Sequence, residues 1–313
     1  MTARALLDRT GAFIGLLLVA LVFTLLAGVQ FVEPGNLELM ARQTAIVCMA
    51  AIGMTAVIVA GGIDLSVGSV ISLTTVVIAV QLRNGASPAL AGLSGVAAAA
   101  ACGLVNGLLI TRLKVVPFIV TLGTMLVVRG LAKGAADERR VEAPMTWLNS
   151  LLRSSAGSFS LPSGIWLVIV VGIAVSVLLQ YTRLGRHIFA VGSNERMARL
   201  CGVPIDRTKV IVYTLNAALA GLAGVLQFSK LAVGDPTVAV GTELDVIAAV
   251  IIGGGSLLGG RGGIVGTAIG AGIMTIIQVG CSQLGLANWV QQIVTGGIIV
   301  VAVAIDRMRS ARI

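Results

Sequence analysis

Residues 42–82, RQTAIVCMAAIGMTAVIVAGGIDLSVGSVISLTTVVIAVQL, decide the fold. Two apolar runs, 42–60 and 67–82, are parted by a short break, and the only charges are Arg42 at the start and Asp64 in the break. A helix needs about 20 mostly apolar residues to cross the hydrocarbon core of a bilayer. The pair therefore reads as two membrane helices joined by the turn GGIDLS. Working outward, the same pattern predicts further spans at 11–31, 89–110, 116–132, 165–181, 210–231, 243–257, 263–281 and 288–305, ten with the first pair. The shortest, 67–82 and 243–257, are flanked by glycine, as broken or re-entrant helices sheltered inside a bundle would be.

Composition excludes a soluble class. The 313 residues are 57% hydrophobic and 11% charged, with a mean hydropathy of +1.02, whereas soluble chains carry about 25% charged residues. The expected architecture is all-α: one polytopic membrane domain, 1–313, of about ten transmembrane helices. The start, MTARALLDRT before a long apolar run, has the basic flank of a signal peptide but too long an apolar stretch, so it reads as an uncleaved first helix.

Orientation follows from where Lys and Arg fall, since cytoplasmic segments retain them. With both termini in the cytoplasm, the inside carries fourteen cations: Arg4, Arg9, Arg112, Lys114, Arg183, Arg186, Arg196, Arg199, Arg207, Lys209, Arg261, Arg307, Arg309 and Arg312. The other eight (Arg42, Arg83, Arg129, Lys133, Arg139, Arg140, Arg153 and Lys230) fall outside or near the outer ends. The net charge of +9 is thus a topology signal. It does not imply nucleic acid, for which clustered basic tails and interleaved aromatics are missing. The outer loop 133–164 reads as solvated surface with an interfacial helix around Trp147, and Asp235 reads as an outer-loop residue.

No metal centre or cofactor is implied. Cys48, Cys102, Cys201 and Cys281 lie far apart without a C-x-x-C pair, and His187 is the single histidine. The run GGGSLLGGRGG at 253–263 fails as a phosphate cradle: a P-loop needs Gly-Lys-Ser/Thr after its spacer, and Gly259 is followed by Gly260 and Arg261. Gly262, Gly266 and Gly270, like Gly103 with Gly107 and Gly130 with Gly134, have the spacing that lets helix backbones approach closely, here expected within one subunit.

Two features remain. Asp64 lies between apolar runs, where a buried carboxylate needs a defined partner; Asp64 or Ser66 could cap the following helix or shape a pathway or gate. In the largest inside loop, 183–209, Asn194 is placed to cap a short helix from Glu195 to Cys201. That helix sets Met197, Leu200 and Cys201 apart from Arg196 and Arg199, before Gly202 and Pro204 end it. It suits either a surface-lying or a docking element.

Four blocks in this order, GGIDLSVGS at 61–69, PFIVTLGTM at 117–125, GRHIFAVGSNERMARLCGV at 185–203 and ELDVIAAVIIGGGSLLGGRGG at 243–263, resemble the permease subunits of bacterial ribose-type sugar ABC importers. The resemblance covers nearly the whole chain. It implies an inner-membrane permease, working with a second copy or a sister permease beneath a periplasmic sugar-binding protein and driven by a separate ATPase subunit. Carried over to this chain, it makes Asn194, Glu195, Arg196, Ala198, Arg199 and Gly202 the helix that couples to the ATPase, and it raises Asp64 and Ser66 as pathway or gate residues. Cys201 and Gly255 depart from the family pattern, where a small hydroxyl residue and threonine are common. The rival within transporters is a branched-chain amino-acid permease, against which GIDLSVGS argues. An intramembrane enzyme would need carboxylates, histidines or a nucleophile converging at membrane depth, and Asp64 stands without an obvious partner. A lone ion-coupled transporter would show buried charge pairs and inverted repeats.

Overall fold

The computed structural model describes residues 3–153 and 161–310. Arg312 and residues 154–160 of the outer loop lie outside the described residues, as do the side chains of Arg4, Arg9 and Arg309. The described chain is an α-helical bundle: α1 (Ala3–Ala27), α2 (Pro34–Val59), α3 (Val67–Arg83), α4 (Pro88–Leu113), α5 (Pro117–Ala135), α6 (Ser163–Tyr181), α7 (Arg183–Ser193), α8 (Glu195–Leu200), α9 (Ile205–Leu231), α10 (Thr242–Ile252), α11 (Ile264–Gln283) and α12 (Asn288–Ser310). A two-residue antiparallel bridge, Val141–Glu142 with Val233–Gly234, is the strand content of the described residues.

Local chemistry sets the helix ends. Pro34, Pro88 and Pro117 open α2, α4 and α5, where a missing amide costs nothing because first-turn amides have no intrahelical partner. Ser87 accepts the Leu90 amide at 3.4 Å to cap α4. Around Trp147 the chain makes one 3-10 turn, Trp147–Ser150, with Thr146 and Asn149 forming a capping box.

Six helices, α2, α4, α5, α6, α9 and α11, are long and apolar enough to cross a membrane, and shorter apolar helices run over Gly11–Ala27, Val67–Arg83 and Asn288–Ala304. The chain is thus an all-α polytopic membrane protein. At its centre stands α2, buried without interruption from Ala45 to its end. Small residues let α9 come close to its neighbours: a Cβ on Gly53 of α2 would meet Asn216 Cα of α9 at 2.9 Å, and one on Gly103 of α4 would meet the Tyr213 carbonyl of α9 at 2.3 Å. By contrast, α5 turns Ile119, Leu126, Val127 and Leu131 outward, as lipid contact allows.

The span expected at 243–257, whose glycine flanks suited a broken or re-entrant helix, is a short one. Helix α10 stops at Ile252 and its 11 residues rise only about 16 Å, half of the roughly 30 Å core. What precedes it is non-helical chain beside α3, a two-residue strand at Val233–Gly234 followed by turns over 236–241: Ser72 and Thr75 hydroxyls donate to the Asp235 carbonyl at 3.2 and 3.4 Å, and the Asp235 amide donates to Thr75 Oγ1 at 3.2 Å. Side-chain hydroxyls thus satisfy non-helical backbone within the bundle, the condition for its survival there. Asp235 is accordingly buried, not a free outer-loop residue; its carboxylate takes Thr237 N and Oγ1 at 2.8 and 2.6 Å. The other short span, 67–82, is one continuous helix, α3.

Candidate functional site

Asp64 sits in the turn between α2 and α3 with none of its surface exposed. Its Oδ1 accepts the Ser66 amide at 2.9 Å and the Ser66 hydroxyl at 2.6 Å, and its Oδ2 accepts Asn216 Nδ2 of α9 at 2.8 Å. Asn106 Nδ2 of α4 donates to Ser66 Oγ at 3.0 Å. Among the described residues no cation pairs with Asp64. The carboxylate is therefore held by neutral donors from its own turn and from α9, with Asn106 of α4 bonded to Ser66 behind them, each bond to a charged acceptor being stronger than a neutral one. Neither Asp64 nor Ser66 bonds an amide of the first turn of α3, so capping in the usual sense is absent.

One side of this cluster is unsatisfied. The Tyr213 hydroxyl, Asn106 Oδ1 and Asn216 Oδ1 are buried without a hydrogen-bond partner, a state costing about 1–3 kcal/mol per group. Asn106, Tyr213 and Asn216 were not singled out from sequence. The available signal was an asparagine inside each of two mostly apolar spans, 89–110 and 210–231.

Below Asp64 three backbones touch. A Cβ on Gly192, near the end of α7, would lie 1.7 Å from the Val59 carbonyl oxygen and 2.8 Å from the Gly260 nitrogen. The Gly260 amide donates to that same Val59 carbonyl at 2.9 Å. Gly259, at φ +85°, would place a Cβ 2.5 Å from the Gly192 oxygen and 3.0 Å from Gly61 Cα. Only glycine permits approaches this close together with positive φ. From α5, Thr121 Oγ1 donates to the Ile63 carbonyl at 3.2 Å. All four sequence blocks therefore meet around residues 59–66.

Three residues beyond Gly192 begins α8. Asn194 Oδ1 accepts the Met197 amide at 3.0 Å. Glu195 receives Lys209 Nζ of α9 at 2.8 Å and Arg199 at 3.5 Å, and the Lys209 bond holds its carboxyl below the usual range. Ala198 is buried with Val191 and Ile205. Gly202, at φ +78°, turns the chain away. Arg196 and Arg199 stay exposed, as do Met197 (55%) and Leu200 (81%), so α8 is seated on one side and offers apolar and cationic groups on the other.

The glycine turn 253–263 is tied to the last helix, where Asp306 Oδ2 accepts Ser256 Oγ at 3.1 Å and the Leu257 amide at 3.3 Å. Gly266 and Gly270 press on α10, their Cβ positions 1.9 Å from the Gly253 and Ala249 carbonyl oxygens, while Gly262 faces Val59 Cγ2 at 2.7 Å. Gly103 and Gly107 lie against α9, whereas Gly130 and Gly134 face open space.

A family model described as branched-chain amino acid transport system / permease component matches residues 36–303. The chain is 38% identical over 305 residues to the ribose import permease protein RbsC of Bacillus subtilis (strain 168), covering 97% of this chain and 94% of that one. It is 37% identical over 306 residues to RbsC of Escherichia coli (strain K12), covering 97% and 95%. To the L-arabinose ABC transporter permease protein AraH of Azospirillum brasilense it is 36% identical over 281 residues, covering 90% and 82%. No solved structure matches. With its four sequence blocks joined at one junction and relatives matched over almost its full length, the chain belongs to the family of ribose-type ABC-importer permeases.

Proposed function

We propose that this chain is the membrane-spanning subunit through which a monosaccharide crosses the bacterial inner membrane, ATP being hydrolysed by a separate partner. Relatives named for ribose and L-arabinose support a sugar substrate over the amino acids of the family model's title. The observation that carries the coupling is the path from α8 to Asp64: α8 begins three residues after Gly192, and Gly192 bears on Val59, at the end of α2 from which the Asp64 turn departs. A load on α8 is passed through backbone contacts that cannot be compressed.

This reading has ten crossings with both termini in the cytoplasm. It supports placing 60–66, 182–204 and 253–263 on one side, where their contacts lie. The segment 233–241 together with α10 makes one crossing. Asn194, Glu195, Arg196, Ala198, Arg199 and Gly202 form the element that docks on the ATPase, and Asp64 and Ser66 form an inner gate. The remaining partners are a periplasmic sugar-binding protein and a second copy or sister permease.

Uptake by proteoliposomes holding the permease, its ATPase and its binding protein tests this. ATP-dependent accumulation of D-ribose or L-arabinose is expected. Accumulation of L-leucine in its place would overturn the sugar reading.

A further inference from the structure

Between α2, α9 and α10 lies a cavity of about 220 Å³, on the side of the bundle remote from the glycine junction. Its aliphatic wall includes Ile46 and Ile71; its polar groups are Gln43, Gln227, Thr242 and Asp245, and no lysine, arginine or histidine lines it. The neighbouring contacts decide which of these groups are free. Lys230 Nζ bonds Gln43 Oε1, which leaves the Gln43 NH2 as a donor. Gln278 Nε2 donates to Asp245 Oδ2 at 2.7 Å, which leaves Oδ1 as an acceptor. The side chains of Gln227 and Thr242 make no hydrogen bond among the described residues, and each can both donate and accept. The larger groove of the bundle, about 550 Å³ between α1, α6 and α11, is lined by residues such as Leu16, Ile169, Ile173 and Val265, which suits acyl chains.

We propose that the α2–α9–α10 cavity is a transient binding site for a neutral monosaccharide on its way from the binding protein to the inner gate. Sugar hydroxyls donate and accept at once, which matches a carboxylate acceptor, an amide donor and two bifunctional groups contributed by different helices around the cavity. Hydroxyl-to-carboxylate bonds are the strong ones in such a set, while the C–H faces of the ring pack on the isoleucines. A few polar groups in an otherwise apolar concavity are the usual makeup of a small-molecule site. An anionic sugar meets the charge of Asp245, and the Lys230 ammonium outside the lining is already bonded to Gln43 Oε1. A zwitterionic amino acid finds a partner for its ammonium group in Asp245 and no cation in the lining for its carboxylate.

The proposal rests on the sugar-importer reading, and its test separates the two. In a chain with exposed Cys201 replaced by serine, Thr242→Cys and, separately, Gln43→Cys place a thiol on opposite walls. Each is modified with a membrane-impermeant methanethiosulfonate in the assembled transporter, with D-ribose, L-arabinose or L-leucine present, and the parent chain serves as blank. Occupancy slows modification by 1 + [L]/Kd, about tenfold when the sugar stands at ten times its Kd. Protection at both positions by a sugar and not by leucine is the expected result. Unreactive thiols, or modification at a sugar-independent rate in a transporter that still imports sugar, overturn the cavity site and leave the importer reading intact. Protection by leucine alone overturns both.

Discussion

Gly192 and Val59 are in backbone contact so close that a Cβ on Gly192 would sit 1.7 Å from the Val59 carbonyl oxygen. The neighbour is backbone of a buried helix end, so it cannot rotate aside. Gly192→Ala must push α7 away from α2, an overpacking cost of about 1–3 kcal/mol. The chain should still insert, because the spans themselves are untouched. ATP-driven uptake should fall about tenfold or more while the ATPase remains bound. Uptake at the wild-type rate with equal membrane abundance would show that the contact is not on the coupling path.

Asp64→Leu should impair transport far more than Glu142→Leu, whose carboxylate is exposed. The leucine strands the Ser66 amide and Asn216 Nδ2, each costing about 1–3 kcal/mol when buried without a partner. Asp64→Asn should fall between, since one acceptor oxygen remains. Uptake measured at matched membrane abundance ranks the three; equal rates for Asp64→Leu and wild type would remove Asp64 from the mechanism.

On α8 the outward anchor is Leu200, whereas Glu195 is engaged by Lys209. Leu200→Ser should leave insertion unchanged and weaken the ATPase complex, since losing one buried anchor costs about 2 kcal/mol, roughly thirtyfold in Kd. Co-purification and sugar-stimulated ATP hydrolysis read this directly. A complex of undiminished affinity would make α8 a surface-lying helix. The double replacement Glu195→Ala with Arg199→Ala removes the Lys209 tether as well, and should lower coupling by loosening the seat of α8.

The tether also has a pH dependence. The Glu195 carboxyl is held below its ordinary 4.5, first by the Lys209 hydrogen bond. A depressed folded-state value means the contribution is fully present above 4.5 and is lost as pH falls through the lower, folded value. Amide protection factors of α8, corrected for the intrinsic pH dependence of exchange, should therefore be flat from pH 8 to 5 and fall only in stronger acid, and Glu195→Gln should abolish the change. A loss of protection already near neutral pH would contradict it.

The isolated subunit should bind no ATP. Its glycine turn carries Arg261 where a phosphate cradle needs Gly-Lys-Ser/Thr, and the turn is folded on itself, Ser256 N donating to the Arg261 carbonyl at 3.2 Å. Saturable nucleotide binding by the purified chain would refute this.

The sequence by itself determined the membrane class, the approximate limits of most helices, the mismatch to a P-loop, and the oddity of Asp64 and of the segment after Asn194. Each of these is a property of a contiguous window: the cost of desolvating a charge, the length of an apolar run, the spacing of a motif. Tertiary structure decided the rest. Asn216 reaches Asp64 from 152 residues away, and nothing local to either residue sets that meeting, which depends on how α9 crosses α2. The same holds for Gly192, whose neighbours read as a loop but whose missing side chain answers to a carbonyl on another helix. Helix α10 can be half a span because hydroxyls of α3 satisfy non-helical backbone before it, and hydropathy, which sums composition along a window, carries no record of such long-range hydrogen bonds.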